Sequence, residues 1–173
     1  MTTTWYALFD TSLGTCAIAW GERGIVRTYL PEPSAEAVRA RLLRRLPDVH
    51  EAVPPDDVRR AIGEITRLLE GEPIDLTWVR LDDENVPELH RRVYAATRAI
   101  RPGSTLTYGE IARRLGDASL ARAVGEALGR NPFPIVVPCH RVLAARGRTG
   151  GFSARGGTET KMQLLRIEGA VLL

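Results

Sequence analysis

The sequence predicts a small α/β domain followed by a mostly α-helical one, and three observations carry that reading. Residues 1–80 alternate short apolar runs with glycine-containing turns and two amphipathic stripes. From Val86 onward the apolar residues keep helical spacing. Between them lies an acidic connector, Leu81-Asp82-Asp83-Glu84-Asn85, so the expected divisions are 1–80, 81–85 as linker and 86–173.

Residues 5–9, 16–20 and 25–30 are apolar and of strand length, separated by Gly14 and by Gly21-Glu22-Arg23-Gly24, which predicts an antiparallel meander. Ser34 suits the N-cap of a helix with Val38, Leu42, Leu43 and Leu46 on one face, ended by Pro47. Residues 50–53 are strand-like. Val58, Ile62, Ile65, Leu68 and Leu69 mark a second helix that Gly71 stops, and 74–79 is expected to close the sheet.

In the second half, Leu89, Val93, Ala96 and Ile100 place a helix over 86–100, broken by Arg101-Pro102-Gly103. Thr107 caps a helix over 108–115, Gly116 ends it, and 118–129 forms the next. Two short helices around a glycine turn are the outline of a helix-turn-helix.

Composition narrows the function classes. A hydrophobic share of 44% is enough to bury a core, which argues against disorder. No apolar run approaches the roughly 20 residues of a membrane span, and residues 1–10 lack a basic, apolar leader. The expectation is a soluble, cytoplasmic monomer. The two cysteines, Cys16 and Cys139, do not make a disulfide scaffold. With only His50, His90 and His140 beside them they are too few for a tetrahedral zinc site, so no metal or cofactor is expected. Cys16, between Thr15 and Ala17, reads as a small buried hydrophobe.

The net charge of +3 is unevenly spread. Residues 1–88 hold 10 basic against 16 acidic residues, and 89–173 hold 14 against 5. These balances of −6 and +9 assign the attraction for a polyanion, and hence for nucleic acid, to the second half.

The stretch from Asn131 to Val142 is the most informative. Pro132, Pro134 and Pro138 fix an irregular backbone around a short β-branched run that ends at Cys139. A thiol is a useful nucleophile only as thiolate, and a histidine can favour that form by taking the proton. Neighbouring side chains of an extended strand point to opposite faces. Either the backbone turns at Cys139 or a water bridges it to His140.

Pro138-Cys139-His140-Arg141-Val142 resembles the active-site signature of the O6-alkylguanine-DNA alkyltransferases, or methylated-DNA–protein-cysteine methyltransferases. Thr107-Tyr108-Gly109-Glu110-Ile111-Ala112 is similar to the family's first DNA-binding helix. Ala121-Arg122-Ala123-Val124-Gly125 and Asn131-Pro132 resemble its recognition helix and hinge. Gly151-Phe152-Ser153 and Leu164-Leu165-Arg166-Ile167-Glu168-Gly169 resemble its pocket loop and final helix. The motifs cover roughly residues 86–170 in order, and the strand order of the first half resembles the family's ribonuclease-H-like domain. Two departures stand out. Leu89-His90 replaces the usual Phe-Gln pair, and the loop over 152–157 is longer than the Tyr-x-Gly-Gly form.

The resemblance implies direct repair of double-stranded DNA. Cys139 would take the alkyl group from O6-alkylguanine, and possible substrates include O4-alkylthymine. Transfer would happen once per molecule, because a thioether has no redox route back to thiolate. The resemblance further implies that His140 deprotonates Cys139 through a water, that Glu168 orients the imidazole, and that Tyr108 donates to the departing base. Asn131 would tie the recognition helix to the active-site segment. Val142, Phe152 and Ser153, with Leu128 and Pro134, would form the pocket for a flipped-out guanine. Arg122 would fill the vacated stack, with Arg130, Thr107, Ala121 and Gly125 also facing DNA. Arg141 is open between an ion pair and a DNA contact.

Three rival readings are weaker. A damage sensor of this kind would lack Cys139. A helix-turn-helix regulator would need base-reading side chains where Ala121, Ala123, Gly125, Ala127 and Gly129 stand. A Cys/His hydrolase pairs residues far apart in sequence.

Overall fold

Glycines with left-handed backbone turn the first three strands into a meander. In the computed structural model, which describes residues 2–145, 148–152 and 154–170, β1 (Trp5–Thr11) pairs antiparallel with β2 (Gly14–Gly21), and β2 with β3 (Gly24–Tyr29). Gly14 and Gly24 sit at φ 127° and 131°, a region side chains rarely adopt. β2 is buried on both faces, as its unbroken apolar run predicts. Ala17 and Ala19 lie under α1 (Ala35–Arg45) with Val38 and Leu42, while Cys16, Ile18 and Trp20 join the main core. Ser34 caps α1 as expected, its Oγ accepting from the Ala37 N–H at 3.1 Å.

β4 (His50–Glu51) lies parallel beside β1, so the sheet order is β3-β2-β1-β4. α2 (Asp56–Leu69) buries Val58, Ala61, Ile65, Leu68 and Leu69 against it. The sheet ends there. Residues 74–79, expected to close it, form no strand: 74–76 run irregularly into a turn at 77–78. Their carbonyls are taken from outside: Arg98 Nη2 donates to Leu76, Thr77 and Val79 at 3.0, 3.3 and 2.7 Å. The Asp75 carboxylate accepts the Thr77 N–H at 2.8 Å, which turns the chain further.

The acidic connector is strapped to β3. The Ile25 N–H donates to Arg80 O at 2.9 Å, the Asp82 N–H donates to Ile25 O at 2.8 Å, and Arg23 pairs with Asp82 and Glu84.

Beyond it come α3 (Glu88–Arg98), α4 (Tyr108–Arg114), α5 (Ala121–Gly129) and α6 (Thr158–Ile167). A two-residue parallel pair, β5 (Leu106–Thr107) with β6 (Val142–Leu143), sits among them. α3 is shorter than the expected 86–100, starting after Pro87 at its N-cap and ending at Arg98. Thr107 caps α4 through a reciprocal box with Glu110, and Gly116 ends it at φ 94°. The helix expected over 118–129 begins as a 3-10 turn, Ala118–Leu120, because the Asp117 carboxylate draws the Ser119 N–H to itself at 2.9 Å. The Tyr94 hydroxyl donates to Ala127 O at 2.7 Å and locks α3 to α5. The main core is continuous: Ile18 and Trp20 of the sheet share it with Val93, Ile111, Val124, Val137 and Leu164. No described helix is long and apolar enough to cross a membrane.

Gly24 tests this docking. A Cβ there would lie 2.6 Å from Arg80 O at φ 131°, so the strap and the backbone both oppose it. Gly24→Ala is expected to cost about 2–3 kcal/mol, read as a lower urea midpoint at unchanged slope.

Candidate active site

The residues before Cys139 are held in a conformation that they would not adopt freely. Asn131 bridges the segment from within, its Nδ2 donating to Val137 O at 2.9 Å while its Oδ1 accepts the Phe133 N–H at 2.8 Å. The Val137 N–H closes the turn on Phe133 O at 2.8 Å. Ile135 is the only non-glycine residue at positive φ, 76°, among the described residues. For a β-branched side chain this is strain of order 1–3 kcal/mol. The chain then turns: Cys139–Arg141 is a 3-10 turn, closed by the Arg141 N–H on Pro138 O at 2.8 Å. An extended strand would have sent Cys139 and His140 to opposite faces. The turn resolves that difficulty and sends His140 and Arg141 to one acceptor.

That acceptor is Glu168. Arg141 Nε and Nη2 donate to its two oxygens at 2.9 and 2.7 Å, and His140 Nε2 lies 3.0 Å from Oε1. Arg141 Nη1 donates to Ile100 O at 2.7 Å. The open question about Arg141 is therefore answered by an ion pair. The His140 and Glu168 side chains are only 1% and 4% exposed. Burial alone would raise the Glu168 carboxyl, but Arg141 and His140 overcome it and pull the value down to about 2. His140 is pushed down by burial, with Glu168 opposing, which favours a neutral imidazole. Its Nδ1 is buried and has no protein partner among the described residues.

Cys139 is buried and free, as is Cys16. Burial pushes the Cys139 thiol up, while the Asn131 amide, the Lys161 ammonium and the backbone N–H groups of Cys139 and His140 favour the thiolate. Cys16 is raised by burial to about 11. Lys161 went unnoticed in the sequence. It is fully buried and donates to Val142 O at 2.6 Å and Gly151 O at 3.3 Å; burial lowers it to about 8, with Cys139 opposing. One signal could have found it, since it is the single lysine among 24 basic residues.

A cavity of about 440 Å³ opens on Cys139, walled by Tyr108, Gly125, Leu128, Gly129, Gly151 and Phe152. Five expected residues thus meet at one pocket: Cys139, Tyr108, Leu128, Phe152 and Gly125, the last from the expected DNA-facing set. Tyr108 is raised by burial and then by Cys139, so it stays a neutral phenol that can donate. Gly150 lies against it, where a Cβ would come within 2.5 Å of the hydroxyl. A smaller cavity, about 50 Å³, touches Cys139 from another side and is lined by Arg27, Tyr29, Asn131, Pro134 and Phe152 among others. Pro134 therefore faces this second space. Val142 is fully buried, with its carbonyl already engaged by Lys161. Arg122 is exposed on the first turn of α5, next to half-buried Ala121. Arg130 is exposed and pairs with Glu126 at 3.3 Å, and the Thr107 hydroxyl oxygen is the α4 cap. Ser153 lies outside the described residues. Another cavity, about 600 Å³, runs between Asp75, Arg98, Arg101 and Arg141 and does not include Cys139.

Residues 88–170 match the family described as 6-O-methylguanine DNA methyltransferase, DNA binding domain. A methylated-DNA–protein-cysteine methyltransferase of Methanothermobacter thermautotrophicus is 35% identical over 155 residues, 90% of this chain and 80% of its own. One from Methanosarcina acetivorans is 32% identical over 166 residues, 96% and 99% of the two chains. Among solved structures, Mycobacterium tuberculosis OGT in complex with DNA aligns with a TM-score of 0.74 at 30% identity, over 95% of this chain and 92% of that one.

The Glu168 cluster sets an acid limit. Its folded pKa is depressed, so the stability it gives is complete above the unfolded value of ~4.3 and is lost as pH falls through that value towards about 2. Glu168→Gln leaves Arg141 buried without its counter-charge and is expected to cost about 3–5 kcal/mol at neutral pH. Urea unfolding between pH 7 and 2 should show the wild type losing this component in that window and the variant lacking it throughout.

Proposed function

The chain belongs to the family of methylated-DNA–protein-cysteine methyltransferases, and from that premise we propose that Cys139 is its alkyl acceptor, taking the group from O6 of guanine in double-stranded DNA. The observation that carries this reading is that Cys139 ends a cavity of about 440 Å³, large enough for a base and its alkyl group, whose wall belongs partly to α5. The Cys139 thiolate forms the new S–C bond as the C–O6 bond breaks, and the electron pair leaves on the purine. Tyr108, a neutral phenol at the same wall, donates to that departing base. His140 takes the thiol proton through a water at its Nδ1, while the Glu168 carboxylate, 3.0 Å from Nε2, favours the resulting imidazolium. Asn131 and Lys161 favour the thiolate once formed. The thioether is permanent, so each molecule acts once. Alkyl transfer directly repairs the DNA and uses no cofactor. O4-alkylthymine would be a second substrate.

We read α4 and α5 as a helix-turn-helix, with α5 in the minor groove. Ala121 and Gly125 give α5 a small-residue face, which suits close approach without base reading. A base within the stack hides its O6 from a buried thiol, so the nucleotide must rotate out. Exposed Arg122 then fills the gap, while Arg130 and Thr107 lie beside the phosphates and the Ser153 backbone reads the flipped base; Val142, with its N–H on Cys139 O and its carbonyl on Lys161, supports the turn instead. Pro134 shapes the far side of Cys139. The antiparallel β3-β2-β1 meander, followed by a helix and parallel β4, supports a ribonuclease-H-like reading of residues 1–80. Residues 81–85 then act as linker to a DNA-binding unit over 86–173. The protein works as a cytoplasmic monomer.

Incubation with duplex DNA containing O6-methylguanine should place one methyl group on Cys139 and none on Cys16, stopping at one equivalent. Peptide mass spectrometry checks both points, and repeated turnover or a methyl elsewhere would sink the proposal. Cys139→Ser should abolish transfer and leave DNA binding intact.

Arg122→Ala separates flipping from chemistry. Extrusion costs a few kcal/mol, so single-turnover repair of duplex should slow roughly 10- to 100-fold while reaction with free O6-benzylguanine barely changes. Equal slowing of both would make Arg122 a support of the pocket.

A further inference from the structure

Strand β3 forms an edge of its sheet, and an edge strand exposes backbone groups that need partners. Here residues 80–82 and the 132–134 stretch supply them. At one end Ile25 bonds to Arg80 and Asp82. At the other, the Thr28 N–H donates to Pro132 O at 3.1 Å, and the Thr28 hydroxyl donates to Pro134 O at 2.8 Å. Thr28 is only 6% exposed. Pro132 and Pro134 have no N–H to give and the Phe133 N–H is taken by Asn131 Oδ1, so this stretch docks on the edge through its carbonyls. Thr28 meets that need with two donors on one residue, a backbone one and a side-chain one.

The docked stretch is the strained one. Ile135, next after Pro134, holds φ 76°, and a β-branched residue keeps that conformation only when its surroundings impose it. Two residues on, Val137 O accepts from both Asn131 Nδ2 and the Cys139 N–H, at 2.9 and 2.8 Å. A shift at Pro134 is thereby passed to the amide and the backbone that set the surroundings of the thiol.

We infer that Thr28, from the N-terminal sheet, is a positioning residue for transfer to Cys139: its two hydrogen bonds clamp the 132–134 carbonyls and hold Ile135 in its strained turn. The inference rests on Cys139 being the acceptor. It gives the N-terminal sheet a defined part in a reaction whose reacting groups all come from the other half. Without the clamp Ile135 relaxes, Val137 moves, and the Asn131 amide no longer faces the sulfur.

The test compares full-length Thr28→Val, Thr28→Ser, Ile135→Gly and the Thr28→Val/Ile135→Gly pair with the wild type. Two rates are measured: single-turnover methyl transfer from duplex DNA, and alkylation of Cys139 by iodoacetamide as a function of pH. Valine keeps the shape and the N–H but loses the hydroxyl. Thr28→Val should slow both reactions roughly tenfold at neutral pH, the effect of one buried hydrogen bond, and move the rising limb of the iodoacetamide profile to higher pH. A role in stability alone would leave that limb in place. His140, Lys161, Tyr94, Tyr108 and Arg27, which also surround Cys139, are unchanged in every variant. Thr28→Ser should restore the wild-type profile. Glycine adopts the turn without help, so Thr28→Val should lose much less when Ile135 is already glycine. If Thr28→Val alone does not fold, the pair compared with Ile135→Gly carries the measurement, and a full tenfold loss there would overturn the inference. A wild-type profile in Thr28→Val, or a serine variant no better than the valine one, would overturn it too. Failure of the wild type to accept methyl from DNA would count against the proposed function, while the iodoacetamide profiles still decide the role of Thr28.

Discussion

A carboxylate as buried as that of Glu168 stays ionised only because Arg141 and His140 replace the water that it lost. The arrangement is reciprocal. Arg141 spends its Nε and Nη2 donors on Glu168 and its Nη1 on Ile100, which pins the 3-10 turn of residues 139–141 to the end of α6 and the end of α3. That turn aims Cys139 at the cavity while His140 faces the carboxylate. A chain that lost the carboxylate would hold a buried guanidinium without its counter-charge two residues from Cys139, so the same group sustains both the fold and the proposed site.

The two halves meet through unlike interactions. Apolar packing runs continuously from the sheet to α3, α5 and α6, which supplies most of the cohesion but little direction. Direction comes from hydrogen bonds to carbonyls: Arg98 on residues 76–79, Thr28 on Pro132 and Pro134. Proline and turn segments cannot complete a ladder of their own and so leave acceptors available. The irregular parts of the chain are therefore the parts held most specifically.

What could be read from the sequence follows from distance along it. The meander, the Ser34 cap and the Thr107–Glu110 box depend on residues within a few positions of each other, and all three are where local chemistry puts them. Cys139 was legible because its neighbours carry a family resemblance, and the pocket residues Tyr108, Leu128 and Phe152 came with it. The closing strand over 74–79 was misread because an arginine some 20 positions away claims its carbonyls, and no periodicity reports that. Lys161 was missed for a similar reason: its place in α6 looks like an ordinary helical surface position, yet tertiary packing buries it. Thr28 sits in a strand where threonine is commonplace, and its significance lies 106 residues away.

The site also has to reconcile burial with a charged nucleophile. Excluding water from Cys139 raises its thiol, against the chemistry proposed for it. Lys161 offsets this only while it carries a proton, and its own burial brings it down to about 8. As pH rises through that value the ammonium loses its charge in the range where the thiol would ionise more readily, so the two changes oppose each other. An arginine in its place would keep its charge at any such pH, but its planar fork is bulkier and less compact than the ammonium that reaches both Val142 O and Gly151 O. A lysine here, in a chain that elsewhere uses arginine for every cation, fits a buried position shared by two carbonyls. The support for the thiolate is accordingly strongest near neutral pH, where Lys161 is charged and the His140 imidazole is neutral, as the proposed proton transfer needs.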